Sequence, residues 1–261
     1  MNINGVEYQV RVTGDGAPVV ALHGFTGSGA NWSADLFPPM TQLIAPDLLG
    51  HGATESPDNY RRYGISTAAR DLVDLIVRTT TPPVTLLGYS MGGRLALDFA
   101  LHHTEYLSKL VLESASPGID DEFERMARRG NDYTLAERIE RDGVEAFMAK
   151  WEQNPLFATQ SPEVRERLRV VRLAQNPVGL ANSLRGMGTG AQPSYWNRLG
   201  ELHLPVLLIA GELDTKFTAI ARRMSERLTN CTLAIIPGAG HTVHLEQPTR
   251  YAETVQRFLA S

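Results

Sequence analysis

A serine stands at the centre of the sequence Gly-Tyr-Ser-Met-Gly-Gly, which spans residues 88–93. An apolar run at residues 84–87 precedes it, and a helical pattern at residues 94–100 follows it. A Gly-x-Ser-x-Gly turn between a strand and a helix holds the serine in a strained conformation and exposes its hydroxyl above the helix N-terminus. We therefore predict that Ser90 is a reactive hydroxyl.

The Ser90 hydroxyl needs a base, and that base needs a carboxylate to orient it. His241 is the first candidate for the base, because it follows the last apolar strand in a Gly-Ala-Gly-His loop; His244 is the alternative. Asp214 follows an apolar strand and lies between Ser90 and His241 in chain order, as this type of site requires. Glu113 is the alternative carboxylate, and Asp214 could instead serve only as a helix N-cap.

The backbone amides of Phe25 and Met91 are candidates for an oxyanion hole. A His-Gly turn at residues 23–24 ends an early strand, and Met91 directly follows the serine. His51 lies in a tight turn, Asp-Leu-Leu-Gly-His-Gly, and we interpret it as structural. The histidines do not cluster with other ligands at metal spacing, so we predict no metal, and the chemistry requires no cofactor.

The composition restricts the class of protein. The chain has 261 residues, of which 43% are hydrophobic, and a formal net charge of −4. This balance does not indicate nucleic acid or an anionic membrane as a partner. Cys231 is the single cysteine, and residues 1–7 lack the features of a signal peptide, so we expect a cytoplasmic protein. The sequence does not predict the oligomeric state.

Strand and helix patterns alternate in the first and last parts of the chain. We predict an edge strand at residues 7–12, further strands at 18–22, 42–45, 84–87 and 109–112, and a helix at 65–78. The alternation returns with strands at 205–210 and 232–236 and helices near 218–228 and 248–259. Repeated β-α-β units predict an α/β fold with a mainly parallel sheet flanked by helices.

Residues 117–199 interrupt this alternation with helical patterns alone. We predict a core formed by residues 1–116 and 200–261, and a helical cap, or lid, inserted before the strand that leads to Asp214. Residues 118–200 contain 12 basic and 12 acidic side chains. Anion binding by the cap would therefore depend on particular arginines and not on its net charge.

The motifs together resemble the α/β-hydrolase superfamily. They are His-Gly-Phe at 23–25, the turn at 47–52, the serine motif, Gly-Glu-Leu-Asp at 211–214 and Gly-His at 240–241. A finer resemblance rests on residues 88–94, Ser-Pro-Gly at 116–118 and Gly-Glu-Leu-Asp-Thr-Lys-Phe at 211–217. These segments are similar to the 2-succinyl-6-hydroxy-2,4-cyclohexadiene-1-carboxylate (SHCHC) synthase family of menaquinone biosynthesis.

The finer resemblance implies a lyase that eliminates pyruvate from a multiply carboxylated cyclohexene (SEPHCHC) and yields SHCHC. It also implies arginines that hold the substrate carboxylates and further residues that line the pocket. The implied arginines are Arg94, Arg128 and Arg172, and the implied pocket residues are Tyr89, Trp151 and Phe157.

Arg94 is the residue that distinguishes this function from simple ester hydrolysis. It lies four residues after Ser90, on the same side of a helix, where its guanidinium could bind a carboxylate through two charge-assisted bonds. It could instead pair with Asp98 at the next helical turn. Two other functions stay open: an esterase, thioesterase or carbon–carbon hydrolase that forms an acyl-serine, and a binding protein without turnover.

Overall fold

The N-terminal segment forms a hairpin that the sequence interpretation did not foresee. The structure is a computed structural model that describes residues 1–261. Strands β1 (Asn2–Ile3) and β2 (Val6–Glu7) pair antiparallel around Asn4 and Gly5, which both have positive φ. Such an Asn-Gly turn is a strong hairpin signal. The predicted strand at 7–12 is therefore wrong as a single element: its first residue belongs to this hairpin and only its last three belong to β3.

Seven strands form the central sheet, and six of them run parallel. Their order is β3-β5-β4-β6-β7-β8-β9, and only β3, at one edge, pairs antiparallel, with β5. The strands are β3 (Val10–Thr13), β4 (Ala17–Leu22), β5 (Thr41–Pro46), β6 (Val84–Tyr89), β7 (Leu107–Glu113), β8 (Val206–Gly211) and β9 (Cys231–Ile236). The predicted mainly parallel α/β architecture is confirmed. Strands β6 and β8 read as continuous apolar runs because helices cover both faces of the sheet.

Helices pack on each face of the sheet. On one face a large apolar cluster joins the sheet to α1 (Ile65–Thr79), α2 (Met91–His102) and α6 (Thr215–Ser225). On the other face a second cluster includes side chains of α7 (Val243–Glu246) and α8 (Pro248–Ala260). Helix α6 begins three residues before the predicted position, because the Asp214 side chain caps it.

The residues between β7 and β8 contain helices and no strand. They include α3 (Glu122–Trp151), α4 (Pro162–Leu173) and α5 (Pro177–Met187), and Gly143, with φ 81°, kinks α3. Helices α3 and α5 share a small apolar cluster of their own, on which Phe25 also packs. No helix of the chain combines the length and the apolar character needed to cross a bilayer.

Candidate active site

Ser90 stands at the sharp turn between β6 and α2. Its φ of 51° and ψ of −107° are strained for a residue with a side chain, and it occupies the N-cap position of α2. Gly92 permits this turn, since a Cβ there would lie 2.4 Å from the carbonyl oxygen of Leu22. The helix can therefore begin directly against the end of β4, with the serine above its N-terminus.

Three separated residues of the chain meet at this serine. His241 Nε2 lies 3.1 Å from Ser90 Oγ, and His241 Nδ1 lies 2.7 Å from Asp214 Oδ2. An imidazole that donates from Nδ1 to the carboxylate presents the lone pair of Nε2 to the serine hydroxyl. The His241 and Asp214 side chains are only 4% and 5% exposed, so bulk water does not compete for this bond.

Asp214 performs both of the roles considered for it. While Oδ2 faces His241, Oδ1 accepts a hydrogen bond of 3.1 Å from the Phe217 amide and so caps α6. The cap holds the carboxylate in place because both of its oxygens have fixed partners. A helix N-cap and an orienting carboxylate are therefore compatible in one residue.

The alternative base and the alternative carboxylate bind one another instead of the serine. His244 Nδ1 lies 2.9 Å from both carboxylate oxygens of Glu113, and the Glu113 carboxylate also accepts from the His244 amide. Both residues are buried, and the His244 ring stacks on Trp32 at 4.5 Å between centroids. This second pair joins the end of β7 to α7.

A glutamate that the sequence interpretation missed supports the loop of His241. Glu246 accepts from the Gly240 amide at 2.8 Å and from the Thr242 amide at 2.9 Å, one on each carboxylate oxygen. The histidine is therefore clamped on both sides. The signal was present, because a carboxylate at the end of a short helix can bond backwards to the amides that begin it.

The two amides predicted for an oxyanion hole have no acceptor in the protein. Neither the Phe25 nor the Met91 amide donates to a backbone or side-chain oxygen, and both residues line the same cavity as Ser90. The turn before Phe25 lies against the serine: a Cβ on Gly24 would lie 3.5 Å from Ser90 Cβ. Two free amides beside one hydroxyl can stabilise a negatively charged oxygen.

His23 and His51 are buried behind this turn. His23 Nδ1 lies 2.8 Å from the Gly24 carbonyl, and its Nε2 accepts from the Leu48 amide at 2.9 Å. Burial lowers the pKa of His23 to about 4 and that of His51 to about 3, so both stay neutral at physiological pH. His51 is fully buried within its turn, which fits the structural role expected for it.

One cavity of about 570 Å³ opens above the serine. Its lining includes every predicted site residue except Asp214, whose carboxylate bonds to His241. The residues shared between the prediction and the lining are Phe25, Tyr89, Ser90, Met91, Arg94, Arg128, Trp151, Phe157, Arg172 and His241. No group of three or more His, Cys, Asp or Glu is arranged to hold a metal ion.

Arg94 is buried in this cavity without an acidic partner. It is 9% exposed, and Nη1 donates to the Met187 carbonyl at 2.6 Å and to Gln192 Oε1 at 3.4 Å. Burial, followed by the nearby charge of Arg128, lowers the pKa of Arg94 to about 10. The alternative pairing with Asp98 is wrong, because Asp98 bonds to the Tyr195 hydroxyl instead.

The other two arginines differ in burial and in partners. Arg128 Nε donates to Asp132 at 2.8 Å, and the Arg128 side chain is 43% exposed. The Arg172 side chain is 5% exposed, lies 3.7 Å from Glu152 and packs over the Phe157 ring at 4.7 Å. Burial lowers the pKa of Arg172. An anionic ligand in the cavity would meet one guanidinium group without an acidic partner, that of Arg94, and two that are partly neutralised by acids.

Aromatic side chains form the remaining wall. Trp151 contacts Phe25 at 5.5 Å and Phe157 at 5.7 Å between ring centroids, and its buried Nε1 has no hydrogen-bond partner. Tyr89 lies with its ring 5.5 Å from that of His241. Ser114, missed by the sequence interpretation, also lines the cavity with an unpartnered hydroxyl and a φ of 47°. No motif around it indicated that role.

Known proteins resemble this chain in sequence and in fold. Residues 17–248 match the family described as the alpha/beta hydrolase fold. The chain is 47% identical to a Bacillus subtilis (strain 168) protein provisionally named 2-succinyl-6-hydroxy-2,4-cyclohexadiene-1-carboxylate synthase, over 99% of this chain and 96% of that protein. It is 33% identical to the synthase of that name from Klebsiella pneumoniae subsp. pneumoniae, over 93% and 94% of the two chains.

A solved structure supports the same assignment. MenH from S. aureus superposes with a TM-score of 0.91 at 33% identity, and the match covers 97% of each chain. Both the fold and the sequence over nearly the full length are therefore shared with these proteins. This chain belongs to the alpha/beta hydrolase family and, within it, to the group that contains the SHCHC synthases.

Proposed function

We propose that this chain is a carbon–oxygen lyase of menaquinone biosynthesis that eliminates pyruvate from SEPHCHC and yields SHCHC. The names of its relatives support the reaction. The observation that carries the proposal is Arg94, a buried guanidinium without an acidic partner in the cavity of Ser90. A buried charge without a counter-ion is costly, and a carboxylate of the substrate would supply the missing partner.

The reaction begins with removal of a proton from the carbon next to the succinyl carbonyl. Ser90 Oγ accepts this proton while its own proton passes to His241 Nε2, 3.1 Å away. Asp214 keeps the imidazole in the required tautomer and stabilises its positive charge through the bond to Nδ1. The protein thus supplies a base without forming a bond to the substrate.

The electron pair of the broken carbon–hydrogen bond forms an enolate, whose oxygen accepts from the amides of Phe25 and Met91. The electrons then return through the ring, form a second ring double bond and break the carbon–oxygen bond to pyruvate. The leaving group departs as the enolate of pyruvate and takes up the proton held by the Ser90–His241 pair, which yields pyruvate and returns His241 to its neutral form. Arg94, Arg128 and Arg172 hold the carboxylates during these steps.

We place the helices of residues 117–199 over the site as a cap, because α3, α4 and α5 contribute Arg128, Arg172 and Leu184 to the cavity. Movement of this cap as a lid, and a cytoplasmic location without nucleic-acid or membrane partners, remain predictions. Cofactor-free chemistry is part of the same proposal.

Hydrolysis through an acyl-serine is the second candidate, since the same three residues would serve it. The test is to supply the purified protein with SEPHCHC and to measure both the pyruvate released and the mass of the protein after the reaction is quenched. We expect one pyruvate per SHCHC and no mass added to Ser90. An acyl adduct on Ser90, with no pyruvate released, would overturn the lyase in favour of the hydrolase.

A further inference from the structure

Three polar side chains form a chain beside His241. Tyr89 Oη lies 3.1 Å from Thr242 Oγ1, and Gln160 Nε2 donates to the same Oγ1 at 2.9 Å. Thr242 and Gln160 are 3% and 4% exposed. These hydrogen bonds therefore join Tyr89, which precedes the serine, to Thr242, which follows the histidine, and to Gln160 in the segment that leads into α4.

The partners determine which way the protons point. The Thr242 hydroxyl has one proton, and its only two partners are the Gln160 amide and the Tyr89 phenol. Because the Gln160 nitrogen donates, only Tyr89 Oη can accept the proton of Thr242. Buried hydroxyl groups nearly always form the bonds available to them. The proton of Tyr89 is then left without a protein acceptor.

This free proton belongs to a side chain that lines the cavity. Burial raises the pKa of the Tyr89 phenol, so the proton is retained at physiological pH. The Tyr89 ring is held between two imidazoles, 5.5 Å from His241 and 5.1 Å from His244. A hydroxyl that is held in this way and has nothing to bond in the protein is available to a ligand.

Donation in the opposite direction, from Tyr89 to Thr242 and from Thr242 to Gln160, is less favourable. If the Gln160 amide were turned over, its oxygen would accept from Thr242 and both of its N–H groups would be without a partner. The observed orientation leaves Gln160 Oε1 unpartnered and one N–H bonded. An unpaired carbonyl oxygen is tolerated more often than an unpaired N–H group. The arrangement therefore favours donation towards Tyr89.

We propose that Gln160 and Thr242 are positioning residues that direct the Tyr89 hydroxyl into the cavity, where it donates a hydrogen bond to an oxygen of the substrate. The identity of that oxygen, on a carboxylated substrate, rests on the function proposed above. The direction of the protons does not. We call the series Gln160–Thr242–Tyr89 the relay. Because Gln160 lies in the segment between β7 and β8, the direction of the Tyr89 hydroxyl beside His241 depends on how that segment packs.

Neutron diffraction from deuterated protein tests the direction without any substrate. We expect the deuteron of Thr242 on the line to Tyr89 Oη, and the deuteron of Tyr89 directed into the cavity. A Tyr89 deuteron on the line to Thr242 Oγ1 would overturn the proposal. This result is independent of whether the protein releases pyruvate.

A double-mutant cycle tests the consequence for catalysis. Thr242→Val removes the hydroxyl and keeps the shape, Thr242→Ser keeps the hydroxyl, and Tyr89→Phe removes the donor. With Tyr89 present, we expect Thr242→Val to lower kcat/KM for pyruvate release about tenfold and Thr242→Ser to retain most of it. In the Tyr89→Phe background, Thr242→Val should have less than about a twofold effect.

Equal losses from Thr242→Val in both backgrounds would show that it displaces His241, and would overturn the relay. If the unmutated protein releases no pyruvate, the proposed function fails, and the neutron experiment alone decides the relay.

Discussion

Replacement of Arg94 by methionine should stabilise the protein and disable the site together. Arg94 is 9% exposed, and burial lowers the pKa of its guanidinium from its ordinary value to about 10. That difference corresponds to a folding cost of about 3 kcal/mol for the charged side chain. The bonds to Met187 and Gln192 offset part of the gain, because each contributes about 1 kcal/mol. We therefore expect Arg94→Met to raise the free energy of unfolding by about 1 kcal/mol.

Differential scanning calorimetry and steady-state kinetics measure the two effects. A gain of about 1 kcal/mol corresponds to an increase in Tm of about 3 °C in a chain of this size. Loss of a charge-assisted bond to a substrate carboxylate should lower kcat/KM for pyruvate release by about a hundredfold. Arg141→Met is the matched control: that arginine is exposed and pairs only with its neighbour Asp142, so neither quantity should change appreciably.

The gain in stability should depend on pH in a definite direction. Because the pKa of Arg94 is lower in the folded protein, the folded state loses this proton first as the pH rises towards 10. The wild-type protein is then relieved of the buried charge, and its stability rises relative to the variant. The difference in Tm between Arg94→Met and the wild type should therefore be largest near pH 8 and smaller near pH 10.5. A variant with lower Tm and unchanged kcat/KM would refute this reasoning.

Further substitutions separate the roles of the other residues. Asp214→Asn should lower kcat by about 10⁴-fold while Tm changes little, because asparagine still caps α6 but cannot hold the imidazole in the required tautomer. Calorimetry and pyruvate release measure the two effects, and retained activity would contradict the prediction. Arg172→Met should raise KM more than Arg128→Met, about thirtyfold against about fivefold, because the Arg172 side chain is buried whereas that of Arg128 is exposed. Equal changes would count against the placement of Arg172. Glu113→Gln should lower Tm by about 5 °C through loss of a buried charged bond to His244, and should reduce kcat far less than Asp214→Asn.

The central part of the fold and of the candidate site could be predicted because the relevant signals are local. The turn around Ser90 requires glycines on both sides, and the buried parallel strands read as apolar runs that end shortly before Asp214 and His241. Chain order then restricts which carboxylate and which imidazole can meet the serine. The hairpin at residues 2–7 was missed although its Asn-Gly turn is a local signal, and its last residue was assigned to the predicted strand at 7–12.

The remaining features depend on contacts between distant parts of the chain. Helical spacing alone allows Arg94 to pair with Asp98. Only the fold shows that Asp98 accepts a hydrogen bond from Tyr195 instead, while Arg94 donates to Met187 and Gln192. In the same way, His244 was a reasonable alternative base until the fold placed it on Glu113, 131 positions away in sequence. Sequence spacing gives the neighbours within one helix, but not those from other elements.

Pyruvate release by the wild type and by Ser90→Ala, measured on SEPHCHC under the same conditions, tests most directly whether the hydroxyl at the β6–α2 turn removes the proton. We predict rapid release by the wild type and a rate at least about a thousandfold lower for Ser90→Ala, with SHCHC formed in equal amount to pyruvate. Equal rates for the two proteins would contradict the account, because the arginine-lined cavity would then act without the residue around which it is built.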